Sequence, residues 1–98
     1  MGVHSRSTAG GAQYGLAVSS TVVTLTRPAA ANCAEVYVRG NSVVFTRDGT
    51  DPTATKGIQA NVDDIIVLNS TDEIIKFEVI RQSANATLDV EYFTDVSG

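Results

Sequence analysis

Residues 34–58 read AEVYVRGNSVVFTRDGTDPTATKGI and contain two β-strand patterns separated by a Gly-Asn pair. Gly40 and Asn41 suit a two-residue hairpin loop, because both residue types tolerate positive φ angles. A hairpin closed at this point sets two apolar residues of each strand on one face of the pair. These residues are Val36, Val38, Val43 and Phe45. We therefore predict a hairpin with its apolar face in the core, followed by a polar loop over residues 48–57.

Short strand patterns separated by turn residues also occur along the rest of the chain. They cover residues 14–18, 21–26, 58–62, 64–68, 73–82 and 86–94. Residues 64–68 are nearly all apolar, as expected of a strand that is covered on both faces or lies at a subunit contact. We find no pattern typical of a helix. The sequence therefore predicts an all-β fold, a small antiparallel β-sandwich or jelly roll of seven or eight short strands, with an up-and-down barrel as the alternative.

The last two strand patterns, residues 73–82 and 86–94, are expected to pair as a hairpin. A connecting loop of even length sets apolar residues opposite one another, whereas an odd loop would bring carboxylates into the core. We therefore predict the even register, which also places Glu78 across from Glu91 on the outer face. The predicted core residues are Ile75, Phe77 and Val79 on the first strand, and Leu88, Val90 and Tyr92 on the second.

Length and composition predict a single domain and argue against several kinds of partner. The chain has 98 residues and a formal net charge of −4, whereas nonspecific nucleic-acid binding needs clustered Lys and Arg. No run approaches the ~20 apolar residues of a membrane helix, and the single Cys33 leaves no internal disulfide framework. Residues 1–13 are rich in Gly, Ser, Thr and Ala, so we predict a flexible N-terminal arm there and a sandwich domain over residues 14–96.

The residue types that most often carry catalysis or bind ligands are few and scattered. The only histidine, His4, lies in the predicted arm, where a hydroxyl nucleophile would lack a rigidly held base. Acidic residues cluster at three places, but none matches a calcium-loop pattern, and turn formation explains them. Tyr37 and Tyr92 are predicted to face opposite sides, which argues against a flat aromatic platform for sugars. We predict no catalytic residue, no cofactor and no metal site.

Two segments resemble small β-sandwich virion proteins of tailed bacteriophages. They are VVFTRDGTDPT at residues 43–53, with Gly57 following, and ATLDVEYF at residues 86–93, which is similar to the final strand of such proteins. The resemblance implies a non-enzymatic capsid decoration (cement) protein that binds the outer capsid surface and joins neighbouring copies of the major capsid protein. It also implies synthesis in the host cytoplasm, residence on the virion and a homo-oligomer, with a trimer favoured. The alternative is a tail or receptor-binding module that recognises a host glycan or a tail partner.

The implied role predicts which side chains contact a partner. Assembly would cover unpaired strand edges, outward aliphatic side chains and the polar loop after the central strands. The candidate contact residues are Tyr14, Asp48, Thr50, Asp51, Lys56, Ile65, Val67, Ile74 and Ile80.

Overall fold

The computed structural model describes residues 6–95 of the chain. This range contains eight strands and one short helix, and the strands form two antiparallel four-stranded sheets. In chain order the elements are β1 (Arg6–Val18), β2 (Val23–Thr24), β3 (Cys33–Arg39), β4 (Val43–Thr46), β5 (Ile58–Ala60), β6 (Ile65–Leu68), α1 (Thr71–Lys76), β7 (Glu78–Arg81) and β8 (Ala86–Asp95). The first sheet has the order β1-β8-β3-β6, and the second has the order β2-β7-β4-β5. The predicted all-β sandwich is confirmed.

One hydrophobic core fills the space between the two sheets. The apolar side chains predicted to face inward from β3, β4 and β8 are all buried. They are Val36, Val38, Val43, Phe45, Leu88, Val90 and Tyr92. The rings of Phe45 and Phe77 stack with their centroids 5.6 Å apart. Burial raises the pKa of Tyr92 to about 12, and its hydroxyl donates a hydrogen bond to the side-chain oxygen of Gln13.

The Gly-Asn pair at residues 40 and 41 does not close a hairpin, so that part of the prediction is wrong. Strand β3 belongs to the first sheet and β4 to the second, and the chain crosses from one sheet to the other between them. Gly40 adopts a φ of +82°, as the turn chemistry predicts. A glycine with a positive φ angle fits a connection between two sheets as well as a hairpin turn, so turn chemistry alone does not distinguish the two.

The polar loop after β4 folds back over the outer side of that strand. Val44 and Thr46 point away from the core but are buried all the same, and Pro52 of the loop is also buried. The Thr46 hydroxyl donates to the Thr50 carbonyl oxygen at 2.5 Å. Gly57 comes so close that an added Cβ would lie 2.8 Å from Val44 Cγ1. The loop therefore forms a third layer over the second sheet.

The predicted pairing of the last two strands is also wrong, because β7 and β8 lie in different sheets. Strand β7 pairs with β2 and β4, whereas β8 pairs with β1 and β3. Glu78 therefore does not face Glu91; the residue opposite Glu91 is Glu35 on β3. The parity argument assumed that consecutive strands are neighbours. In this fold it predicts correctly which residues of β8 face inward, but not the strand that lies beside it.

Helix α1 replaces the first half of the strand predicted over residues 73–82. The Ser70 hydroxyl accepts a hydrogen bond from the Glu73 N–H at 3.1 Å, and the Glu73 carboxylate accepts one from the Asn69 N–H at 2.7 Å. This reciprocal N-terminal cap is encoded by a Ser-x-x-Glu pattern. Ile74 is therefore buried and Ile75 is 61% exposed, the reverse of the strand prediction.

Strand β1 begins at Arg6, within the segment predicted to be a flexible arm. Residues 6–13 pair with β8 from Arg6 opposite Asp95 to Gln13 opposite Val90, with irregular register at several points. Residues 1–5 of the predicted arm lie outside the described residues, as does residue 96 of the predicted domain. Because the segment is rich in Gly and Ala, it shows no apolar alternation that would predict a strand. The strand is defined instead by its main-chain hydrogen bonds to β8.

Candidate functional site

The outward side chains of the first sheet surround a depression with a volume of about 430 Å³. We call this surface the tyrosine-acid face. Its residues are Tyr14 on β1, Tyr37 and Arg39 on β3, Asp63 and Ile65 at the start of β6, and Asp89 and Glu91 on β8. All four strands of the sheet contribute to it, so the face exists only in the folded domain.

The strand register brings these residues into adjacent rows. Tyr37 lies between Asp89 on β8 and Ile65 on β6, since it is the register partner of both. In the next row Glu35 lies directly opposite Glu91. Like charges opposite one another on neighbouring strands are destabilising. The strand register therefore sets an acidic pair at the border of the face.

Each of the two opposed glutamates accepts a hydrogen bond from a tyrosine. The Tyr14 hydroxyl donates to Glu91 Oε2 at 3.1 Å, and the Tyr37 hydroxyl donates to Glu35 Oε1 at 2.8 Å. The bond to Glu91 and the negative charge of that carboxylate raise the pKa of Tyr14. Both tyrosine rings are thereby held on the outer surface of the sheet by their hydroxyl ends.

Negative charge predominates on the tyrosine-acid face. Arg39 Nη1 contacts Asp89 Oδ2 at 3.0 Å, and the other oxygen of Asp89 accepts the Gly15 N–H at 2.9 Å. Arg39 is the one cation among the residues of the face. Three carboxylates, those of Asp63, Asp89 and Glu91, thus stand against one guanidinium, which gives the face a formal charge of −2.

Strand β6 forms an edge of the first sheet and exposes two aliphatic side chains. Ile65 is 54% exposed and Val67 is 44% exposed, and within residues 6–95 the strand pairs only with β3. The Val38 N–H donates to the Asp64 carbonyl at 3.0 Å, so Asp64 is a hydrogen-bonded position of the pair. Because such positions alternate along an antiparallel pair, the main-chain groups of Ile65 and Val67 point away from β3. The Val67 carbonyl accepts a long bond of 3.4 Å from Arg47 instead. Residues 64–68 are therefore covered on one face only.

The loop after β4 forms a second concave surface on the other sheet. Its depression has a volume of about 510 Å³ and is lined by Phe45, Thr46, Arg47, Asp48, Thr50, Lys56, Gly57 and Ile58. The Thr50 N–H donates to Asp48 Oδ1 at 3.0 Å, and this bond lowers the pKa of Asp48. Three of the four contact residues predicted on this loop meet here, and Asp51 is the exception.

Asp51 instead lies close to an acid of the second sheet. A hydrogen bond between the carboxyl groups of Asp51 and Glu78 raises the pKa of Glu78, and burial of Glu78 adds to the effect. Glu78 Oε1 is buried and has no hydrogen-bond partner among the described residues. Such a bond requires a proton on one of the two carboxyl groups, so a proton shared between them would favour the packing of the loop on the sheet at low pH.

The predicted contact residues fall on separate surfaces. Tyr14 and Ile65 belong to the tyrosine-acid face, and Val67 lies beside it on β6. Ile80 is half-buried on β7 in the second sheet. Ile74 is only 1% exposed, because α1 turns it into the core, so its prediction as an outward contact residue is wrong.

Most of the tyrosine-acid face was missed as a site, although its residues were correctly oriented. Alternation on β8 places Asp89 and Glu91 outward, and alternation on β3 does the same for Tyr37 and Arg39. What the sequence lacks is the strand order that puts Tyr14 beside them. Tyr92 faces the core and Tyr37 faces outward, as predicted.

The part of the chain that the structure covers has no group of three or more His, Cys, Asp or Glu side chains arranged to hold a metal ion. Its helix is also far too short to cross a membrane. The fold defines a small all-β sandwich with an acidic, aromatic face and an exposed aliphatic edge strand, β6. Comparison with protein-family models, with curated proteins and with solved structures finds no match to the chain.

Proposed function

We propose that this chain is a non-enzymatic structural component of a bacteriophage particle, a capsid decoration protein. In this proposal it binds the outer capsid surface and joins neighbouring copies of the major capsid protein. It is made in the host cytoplasm, resides on the virion and forms a homo-oligomer, with a trimer favoured. The resemblance of residues 43–53 and 86–93 to small virion proteins suggests the particle, and the surface of the sandwich supports a binding role.

The observation that carries the proposal is the exposed edge of β6. Ile65 and Val67 are exposed on this strand, and within residues 6–95 no strand pairs with its outer edge, where the Val67 carbonyl accepts the long bond from Arg47. Unpaired edges of this kind accept strands or side chains from another chain. Native monomers usually protect such edges with lysine, proline or a covering segment, whereas β6 reads Ile-Ile-Val-Leu.

Sedimentation with capsids tests the proposal. The purified chain is mixed with assembled capsids that lack decoration, and in parallel with free coat subunits, and the bound fraction is measured. We expect binding to assembled capsids and no binding to free subunits, because the proposed site spans neighbouring subunits. Light scattering after size exclusion should show an oligomer, and a clean monomer at micromolar concentration would count against a decoration protein.

A matched pair of variants connects the binding to the edge strand. Val67→Lys places a charge on the exposed face of β6 outside the tyrosine-acid face, and Ile75→Lys places the same charge on α1, where the side chain is also exposed. We expect the first variant to lose capsid binding and the second to keep it. Equal binding by the two variants would refute the assignment of β6 as the contact.

The alternative is a tail or receptor-binding module, and the same particle material distinguishes it. In that case the chain would copurify with tails, or bind a host glycan, and would leave undecorated capsids bare. Imaging of the assembled virion gives the location directly.

A further inference from the structure

The tyrosine-acid face combines exposed apolar surface with an excess of negative charge in one depression. Tyr14 is 68% exposed and Ile65 is 54% exposed at its two ends. Between them lie Asp89 and Glu91, which line the same depression. Its volume of about 430 Å³ lies within the range of about 300–1,000 Å³ that is usual for ligand sites.

The negative charge of the face determines the sign of the charge that a partner must carry. Three carboxylates and one guanidinium leave the face at −2, and that guanidinium is already paired with Asp89. Phosphate backbones carry the same sign and are repelled. A second copy of this chain, docked face to face, would oppose its acids to these acids. The complementary partner is therefore cationic.

The chemistry of lysine and arginine matches both properties of the face. Their aliphatic stems pack on apolar and aromatic surface while the charged end reaches for a carboxylate. A cation over a tyrosine ring gains a further attraction.

We propose that the tyrosine-acid face binds a basic, extended segment of a partner protein, with lysine or arginine side chains in the depression. The proposal deepens the proposed function and rests on it for the particle in which such a partner is found. The docking surface is distinct from the outer edge of β6, although Ile65 borders both.

An NMR titration of the isolated chain tests the proposal without any virion component. The probe is an acetylated and amidated peptide of alternating lysine and threonine, added to the ¹⁵N-labelled protein at about 20 mM and then about 150 mM NaCl. We expect amide shifts on the four strands of the first sheet, centred on residues 14, 37, 65, 89 and 91. Apparent affinity should fall about tenfold at the higher salt, because exposed charge pairs are screened. The same peptide with glutamate in place of lysine should cause no shifts.

Three single variants locate the binding. Glu91→Gln should weaken the lysine peptide about threefold, the loss expected for one exposed charge pair, and it should not harm the fold because it removes a like-charge contact. Tyr14→Ala should weaken it about fivefold through lost apolar and ring contact. Asp72→Asn is the matched control, since it removes the same charge from an exposed site on α1. It should bind as the wild type does.

Several results would overturn the proposal. They are the absence of shifts at about 2 mM peptide in low salt, shifts centred on the second sheet, or equal affinity in Glu91→Gln and Asp72→Asn. Shifts on the same face with a neutral oligosaccharide but not with the lysine peptide would also overturn it and would favour a glycan site. Failure of this titration leaves the capsid sedimentation result unaffected, so the two proposals are tested separately.

Discussion

Replacing Phe77 with alanine removes the stacked contact between the residue that follows α1 and Phe45 on β4 of the second sheet. Phe77 is fully buried, and its ring stacks on that of Phe45 at 5.6 Å with an angle of 30° between the planes. Truncation of a buried phenylalanine costs about 3–5 kcal/mol, of which the aromatic pair contributes about 0.5–1.5 kcal/mol. A domain of this size has a free energy of unfolding of about 5–15 kcal/mol. The variant should therefore lose a large part of its stability.

Urea unfolding at 25 °C, followed by circular dichroism, measures the loss. We expect the midpoint to fall with little change in slope, and the melting temperature to drop by about 15–30 °C. If Phe77→Ala does not fold, Phe77→Leu should still fold and lose about 1–1.5 kcal/mol. Ile75→Ala is the control, because Ile75 is exposed on α1 only two residues before Phe77, and it should change stability by less than about 0.5 kcal/mol.

A double-mutant cycle with Phe45→Ala isolates the ring contact. The coupling between the two substitutions should be about 1 kcal/mol, since the residues touch and share one cavity. Equal losses for Phe77→Ala and Ile75→Ala would refute the burial of Phe77 in the core. A coupling of zero would refute the stacked pair.

Three further predictions concern the helix cap, the loop after β4, and the carboxyl pair of Asp51 and Glu78. Ser70→Ala should lower the free energy of unfolding by about 1 kcal/mol in urea titrations, because the Glu73 N–H loses its acceptor; no change would contradict the cap. Gly57→Ala should lower the free energy of unfolding by about 3 kcal/mol in the same assay, since an added Cβ would lie 2.8 Å from Val44 on β4. Gly49→Ala should lower it by only about 1 kcal/mol, because space is open around Gly49. The raised pKa of Glu78 means that the folded state holds its proton more tightly than the unfolded chain does. The stability that this proton contributes is therefore complete below the ordinary pKa of 4.5 and is lost as the pH rises through the pKa of the folded state. Glu78→Gln should remove this slope and be at least as stable as the wild type at pH 7, and identical pH profiles would contradict the shared proton.

The sequence predicts the inward side of most strands but not their neighbours. Alternation on β3 and β8 identifies core residues such as Val36 and Val90 correctly, because the pleat has a period of two whatever lies alongside. Both predicted hairpins fail for one reason. The chain crosses between sheets after β3, and again after β7, and local patterns carry no information about that crossing.

The other differences between the predicted and the observed elements have separate causes. The cap at Ser70 and Glu73 signalled α1, but the flanking isoleucines were assigned to a strand. The beginning of β1 has no apolar signal, because small residues there pair with β8 through the main chain. The tyrosine-acid face needed the order β1-β8-β3-β6, which is a property of the whole fold.

The order of the first sheet also affects how this chain is synthesised. Strand β8 lies between β1 and β3, so the strand made last fills the gap between two strands made much earlier. Until residues 86–95 leave the ribosome, β1 has no neighbour in its sheet and remains unpaired. A nascent chain stalled before residue 86 should therefore be bound by chaperones and cut by proteases, whereas the released chain should resist both.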